Sequence, residues 1–290
     1  MTDNLTPLVI YHANCWDGFC AAWIARKALG EIEAFPAQHG TAPPDVTGRI
    51  VYVLDFSYPY DVMERLVTAA RRTVVLDHHK TAMETLDGLH QPETGIDVWF
   101  DMDKSGGRLA WEWFWLYRFA DMSVEQRPFP SPVRLDRAPW LVDYTEDRDL
   151  WRHALEGTEE INAALRSHPL DFALWDQFAQ KDPRSTLYYE GAAIRRRERQ
   201  IVFDHVQHAR IETFDAWTVP IVNATTMFSE IAGELAKGHP FAACYFDRQD
   251  GKRQWSLRST PDGEDVSVIA KRHGGGGHRH AAGFEQTIGQ

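Results

Sequence analysis

Asp77-His78-His79 closes an apolar run, Thr73-Val74-Val75-Leu76, and places three groups able to bind a cation or move a proton at one point in the chain. Two other apolar runs end in the same way. Leu8-Val9-Ile10-Tyr11 leads into His12, with Asp17 shortly after it, and Ile50-Val51-Tyr52-Val53-Leu54 leads into Asp55. Imidazoles combined with several carboxylates suit hard or borderline divalent ions better than soft ones. A carboxylate shared between two such ions makes a site that can generate hydroxide at neutral pH and clamp both oxygens of an in-line displacement at phosphorus.

These groups can act together only if the runs that carry them are neighbours. Short β-branched runs that stop at a turn read as buried parallel strands, and in open α/β sheets ligands sit beyond the carboxyl ends of the strands. Between the runs, Gly18 to Arg26 reads as a helix with Gly30 as its stop, and an amphipathic stretch from Tyr60 to Arg71 follows Pro59. Ile96 to Phe100 is a further apolar segment, followed by Ser105-Gly106-Gly107 and a helical run through Trp111, Trp113 and Trp115, which reads as core. Strands alternating with helices predict an α/β fold with a mainly parallel sheet flanked by helices.

Residues from about 133 to 210 read as mostly helical, ending in a long connecting helix from Glu190 to Gln207. The cluster Arg195 to Arg199 on that helix reads as a solvated face, and His153, His168, His205 and His208 as structural. A second, smaller α/β unit follows. It has a strand from Trp217 to Val222, a helix from Ser229 to Lys237, and a hairpin of Phe241–Phe246 and Arg253–Arg258 around Asp250-Gly251. A helix from Val266 to Lys271 and the run Gly274 to Gly277, His278, Arg279, His280 close the chain, and apolar Ala281-Ala282-Gly283-Phe284 predicts a return to the core. The expected division is a domain over residues 1–190, a connecting helix and linker over 191–212, and a second domain over 213–290.

The 290 residues carry a net charge of −11, and all of that excess lies before residue 191, since residues 191–290 hold 13 Lys and Arg against 12 Asp and Glu. An acidic chain is poorly suited to gripping long duplex nucleic acid, which is bound through counterion release. Short phosphorylated ligands fit better, with cationic groups gathered locally and metal ions offsetting the acidic site. The three cysteines, Cys15, Cys20 and Cys244, have no paired spacing, so no disulfide framework is expected. No apolar stretch reaches the roughly 18 residues of a membrane span, and Met1-Thr2-Asp3-Asn4 does not open a signal peptide. A cytoplasmic protein without a membrane partner is expected, with its oligomeric state left open, a homodimer included.

His12-Ala13-Asn14-Cys15-Trp16-Asp17-Gly18, Asp55, Asp77-His78-His79, Asp147 and the run at 274–283 stand in an order that resembles the DHH phosphoesterase superfamily, in the branch with a C-terminal DHH-associated (DHHA) domain. The resemblance implies an active site in the cleft between a DHH and a DHHA domain, and two divalent ions, Mn²⁺ first, with Mg²⁺ or Zn²⁺ possible. It places Asp55 as the bridging ligand, His12 beside it on the first ion, and Asp17, His78 and Asp147 on the second; Asp143 and Asp149 compete for the place of Asp147, which the family spacing before Trp151 favours. His79 is implied near the scissile phosphate, with Asp77 behind it. Cys15 stands where relatives commonly carry an aspartate, and reads either as a soft ligand or as a buried thiol with no metal role. Arg258, Ser259, Gly275, Gly276, Gly277 and His278 are implied in holding the rest of the substrate.

The function these features imply is hydrolysis of short oligonucleotides to mononucleotides, as in a nanoRNase-like exonuclease. Linear or cyclic dinucleotides and adenosine bisphosphate are alternatives in the same class. An exopolyphosphatase is the runner-up, and a degenerate nucleotide-binding regulator, with Cys15 marking a lost metal site, is the alternative outside catalysis.

Overall fold

The computed structural model describes residues 6–89, 95–117 and 137–289. Met1 to Asn4, and residues 133–136 at the start of the expected helical stretch, lie outside them. The chain divides into two compact units, residues 1–193 and 194–290.

The first unit runs β1 (Leu8–His12), α1 (Trp16–Leu29), β2 (Glu33–Ala37), β3 (Ile50–Leu54), α2 (Tyr60–Ala69), β4 (Arg72–Asp77), α3 (Lys80–Thr85), β5 (Ile96–Phe100), α4 (Gly106–Trp111), α5 (Trp140–Asp149), α6 (Thr158–Ser167), α7 (Phe172–Ala179) and α8 (Leu187–Val206), within which the division between units falls. Helix α4 continues as π turns over Glu112–Tyr117. The five strands form a parallel sheet in the order β2-β1-β3-β4-β5. Strand β2 was not among the runs legible in the sequence. Glu33-Ala34-Phe35-Pro36-Ala37 lies at the sheet edge and carries a proline, so it lacks the buried apolar pattern of its neighbours.

The central strands are buried on both faces. Val9, Tyr11, Tyr52, Leu54, Val74 and Leu76 pack against α1, α4 and α5, while Leu8, Ile10, Val51, Val53 and Val75 face α2 and its neighbours. This two-sided burial is why these strands read as continuous apolar runs and not as alternating ones. In a 2-1-3-4-5 sheet, the connections leave β1 and β3 in opposite directions, which opens a crevice at their carboxyl ends. His12 and Asp55 stand at that point.

Helix α7 is tied to α1 through Asp176, which accepts hydrogen bonds from Trp23 Nε1 (2.9 Å), Lys27 Nζ (3.0 Å) and Arg26 Nη1 (3.2 Å). Burial opposes ionisation of this carboxyl, but the bonds from Lys27 and Trp23 outweigh it and hold its pKa below the usual value. A depressed carboxylate stabilises the fold above its unfolded pKa and loses that contribution as pH falls through the folded one. Asp176→Asn is therefore expected to cost about 1–2 kcal/mol at pH 7, with the difference from wild type closing below about pH 4. Urea unfolding of both proteins across that range checks it.

The second unit adds β6 (Arg210–Phe214), β7 (Trp217–Asn223), α9 (Phe228–Leu235), β8 (Ala242–Asp247), β9 (Lys252–Arg258), α10 (Val266–Arg272), β10 (Gly276–His278) and β11 (Ala281–Thr287). Its six-stranded sheet has the order β10-β11-β9-β8-β7-β6, antiparallel except between β7 and β8. Phe214, Phe241, Trp255, Leu257, Ile269 and Phe284 form one core, and Val222, Ile231 and Cys244 a second. Among the described residues no helix is long and apolar enough to cross a membrane.

Candidate metal centre

The carboxyl ends of β1, β3 and β4 deliver His12, Asp55 and Asp77-His78-His79 to one edge of the parallel sheet. The first loop and α1 add Cys15 and Asp17, and the end of α5 adds Asp149. Two groups of candidate ligands lie wholly within the first unit. One is His12, Asp55 and His79, and the other is Asp17, His78 and Asp149, with the ligand atoms of each group within 4.8 Å of one another.

Asp55 lies between the groups. Its Oδ1 is 3.0 Å from His78 Nε2, and its Oδ2 is 3.5 Å from His12 Nδ1 and 3.3 Å from Cys15 Sγ. The residue has φ of 54°, a left-handed conformation that Asp tolerates better than most residues and that turns the chain sharply at the strand end. Burial favours its neutral form, yet the neighbouring imidazoles of His12 and His78 prevail and hold the carboxyl well below the usual range. Asp17, also buried, goes the other way: burial and the nearby Asp55 and Asp149 raise its pKa.

His78 is 1% exposed and balances three carboxylates. Burial would lower its pKa, but Asp55, Asp149 and Asp17 drive it up to about 10. A proton held this tightly between carboxylates occupies the place of a cation. The donor set fits a divalent ion in a second respect. His12 Nδ1 is buried, has no hydrogen-bond partner among the described residues, and stands just outside bonding range of Asp55. Two donors that converge without bonding each other are placed to share a third atom.

His79 is oriented from behind. Asp77, fully buried, accepts from Ser57 Oγ (2.8 Å), from the His78 and His79 backbone N–H groups, and from His79 Nδ1 (2.7 Å). That bond turns Nε2 away from Asp77, and the Asp77 charge outweighs burial in raising the His79 pKa. Cys15 belongs to neither group. Burial, followed by the charges of Asp55, Asp149 and Asp17, pushes its thiol well above the usual range, and it donates to Asp55 as a neutral S–H.

Asp147, which the motif spacing favours as a ligand, is in neither group. Its carboxylate accepts from the backbone N–H of Ala154 (2.9 Å) and Leu155 (3.1 Å) and from Thr158 Oγ1, which secures the loop leading into α6. Asp149 instead lies 3.6 Å from His78 Nε2. Residues two apart on a helix point roughly 200° apart, so only one of the pair can face the sheet edge. Asp149 continues the inward stripe Val142-Thr145-Glu146, a periodicity that was present in the sequence and would have selected it.

Ser105-Gly106-Gly107 is part of the centre as well. Ser105 caps α4, and the Gly106 and Gly107 N–H groups donate to the two oxygens of Asp17 at 2.6 and 2.9 Å. A Cβ on Gly106 would lie 2.5 Å from the Asp55 Cβ, and one on Gly107 would lie 2.9 Å from Cys20 Sγ. Gly106→Ala is expected to cost about 1–3 kcal/mol through overpacking and to weaken ion binding by displacing both aspartates. A combined melt and Mn²⁺ titration would show both losses.

In the second unit, Arg258 ends β9 and donates to Ser229 Oγ (2.6 Å) and Leu257 O (2.8 Å). Ser259 Oγ lies 3.0 Å from His280 Nδ1. Gly276, Gly277 and His278 form the edge strand β10. The Gly275 N–H is committed to Ala270 O, and a Cβ there would lie 2.1 Å from Gly283 O. Close packing of the final hairpin thus accounts for this glycine.

No protein-family model matches the chain. An uncharacterized protein, R106, of Acanthamoeba polyphaga mimivirus is 26% identical over 96% of this chain, and oligoribonuclease NrnB of Bacillus subtilis (strain 168) is 27% identical over 82% of it. The matches cover 66% and 59% of those proteins, so the chain spans less than two thirds of either relative's length. Among solved structures, RecJ of Thermus thermophilus in complex with Mn²⁺ is similar with a TM-score of 0.52 and 15% identity, over 96% of this chain and 49% of that one. The DHH domain of a member of the s1p family of ribosomal proteins has a TM-score of 0.55 and 11% identity, over 96% of this chain and 82% of that one.

Proposed function

We propose that this chain, a member of the DHH superfamily by its fold and ordered motifs, is a divalent-metal-dependent phosphodiesterase that shortens small oligonucleotides to mononucleotides. The observation that carries the proposal is the pair of ligand groups, His12–Asp55–His79 and Asp17–His78–Asp149, meeting at Asp55 on the carboxyl edge of the sheet. Bound there, divalent ions supply Lewis acidity toward a phosphodiester and an activated water. Mn²⁺ is the first choice, supported by the manganese complex of the RecJ neighbour.

The chain's own residues do the rest. Asp55 reaches both groups through its two oxygens, so one carboxylate holds them in register. The Gly106 and Gly107 N–H groups fix Asp17 from behind, which keeps its oxygens directed. His79 is assigned to the substrate and not to an ion: with Nδ1 bonded to Asp77, it carries its transferable proton at Nε2 and donates it to the departing ribose oxygen. Arg258 and His278 bind the non-reacting part of the substrate through charge-assisted bonds. Short RNA as substrate is supported by the oligoribonuclease name of the Bacillus relative and by the acidity of residues 1–190.

A 5′-labelled RNA ladder of about two to twenty nucleotides, incubated with Mn²⁺ beside a polyphosphate control, tests the proposal. Fastest loss of the shortest RNAs to mononucleotides is expected. Phosphate release from polyphosphate without RNA turnover would replace it with an exopolyphosphatase, and binding without turnover would leave a regulator.

A further inference from the structure

We propose that the cavity between the loop after β2 and the start of α2 is a pocket for a nucleobase of the substrate, walled off from the metal centre by His39. The inference rests on the nucleotide reading above and extends it to residues that the sequence did not single out.

The cavity measures about 600 Å³, within the range of small-ligand sites. Pro43, Pro44, Tyr58 and Val62 line it, and His39 stands at its edge. His39 follows β2, the parallel neighbour of β1, so it shares the sheet edge with His12. Its ring centroid lies 5.1 Å from that of Phe56 and 6.2 Å from that of His12. The cavity therefore begins one side chain away from the cluster.

Its chemistry selects the occupant. Tyr58 is 3% exposed, and its hydroxyl is buried without a hydrogen-bond partner among the described residues. A buried hydroxyl calls for a partner, and a ligand in the cavity would supply one. The remaining lining is mostly apolar, with Pro43, Pro44, Val62 and Leu66 beside Thr41 and Thr47, which suits contact with a ring. A polyanion is disfavoured, because Arg65 is already paired with Asp61 at 3.0 Å and Asp45 adds a negative charge. A planar heterocycle with hydrogen-bonding edges meets both the apolar walls and the phenol.

Calorimetric titration with AMP and with ribose 5-phosphate, Mn²⁺ present, isolates the base from the phosphate. Wild type is expected to bind AMP about tenfold more tightly or better. Ala42→Trp, which fills the cavity from its exposed rim, should erase that preference, and Tyr58→Phe should reduce it severalfold, each with the melting temperature taken as a check of fold. Equal binding of the two ligands by wild type, or an undiminished preference in Tyr58→Phe, would overturn the pocket. A base preference without RNA hydrolysis would instead overturn the catalytic reading and leave the pocket standing.

Discussion

Asp55→Asn will leave the chain folded and remove the phosphodiesterase activity proposed for it. Asparagine is the informative replacement because it keeps the shape of the side chain and tolerates the φ of 54° at this position, where alanine would add strain. What changes is charge. Asp55 is within reach of both His12 and His78, and the pull of those imidazoles holds it ionised despite full burial. Groups that only orient a metal ligand are worth about 10–100-fold in activity or affinity, so loss of a ligand common to both ions should lower kcat/KM by more than roughly 100-fold. Steady-state hydrolysis of a dinucleotide checks this against a melting curve. Near-wild-type turnover would mean that the two groups are not joined through Asp55.

Asp147→Asn and Asp149→Asn will separate stability from catalysis. Asp147 bonds two backbone N–H groups and Thr158 at the entry to α6, and none of these bonds involves an imidazole of the cluster. Those bonds outweigh burial and depress its pKa. Its amide variant should lose about 1–3 kcal/mol and keep its activity below the melting transition. Asp149 makes the opposite exchange. Burial raises its pKa, and His78 opposes that most strongly, so it contributes little to stability and much to holding a cation. Its amide variant should melt near wild type or above and lose activity by more than roughly 100-fold. Paired melts and kinetics on the two variants decide it, and the reverse pattern would return the ligand role to Asp147.

The contrast between these aspartates marks where the sequence stopped being legible. Runs such as Thr73–Leu76 are buried on both faces, so their composition alone announces a parallel strand, and the groups at their ends follow at once. His12, Asp17, Asp55 and the Asp77–His79 triplet were visible for that reason. Asp149 sits on a helix whose acids crowd every face, and motif spacing favours a neighbour two residues away whose carboxylate is bonded to the Ala154 and Leu155 N–H groups. Gly106 and Gly107 contribute backbone N–H groups, which no side-chain pattern reveals, and their need appears only when Asp17 and Asp55 are seen within a Cβ's reach. His39 was missed because β2 itself was missed, its edge position and proline hiding the strand that carries it.

Electron paramagnetic resonance of free Mn²⁺, titrated into the wild-type chain and its variants, asks whether the cluster is a metal centre without requiring any substrate. The wild type should remove about two ions per chain from solution, Asp147→Asn should do the same, and Asp55→Asn and Asp149→Asn should bind fewer or weaker. A wild-type chain that leaves the free Mn²⁺ signal undiminished, or an Asp149→Asn chain that binds as the wild type does while Asp147→Asn fails, would contradict the assignment of these residues.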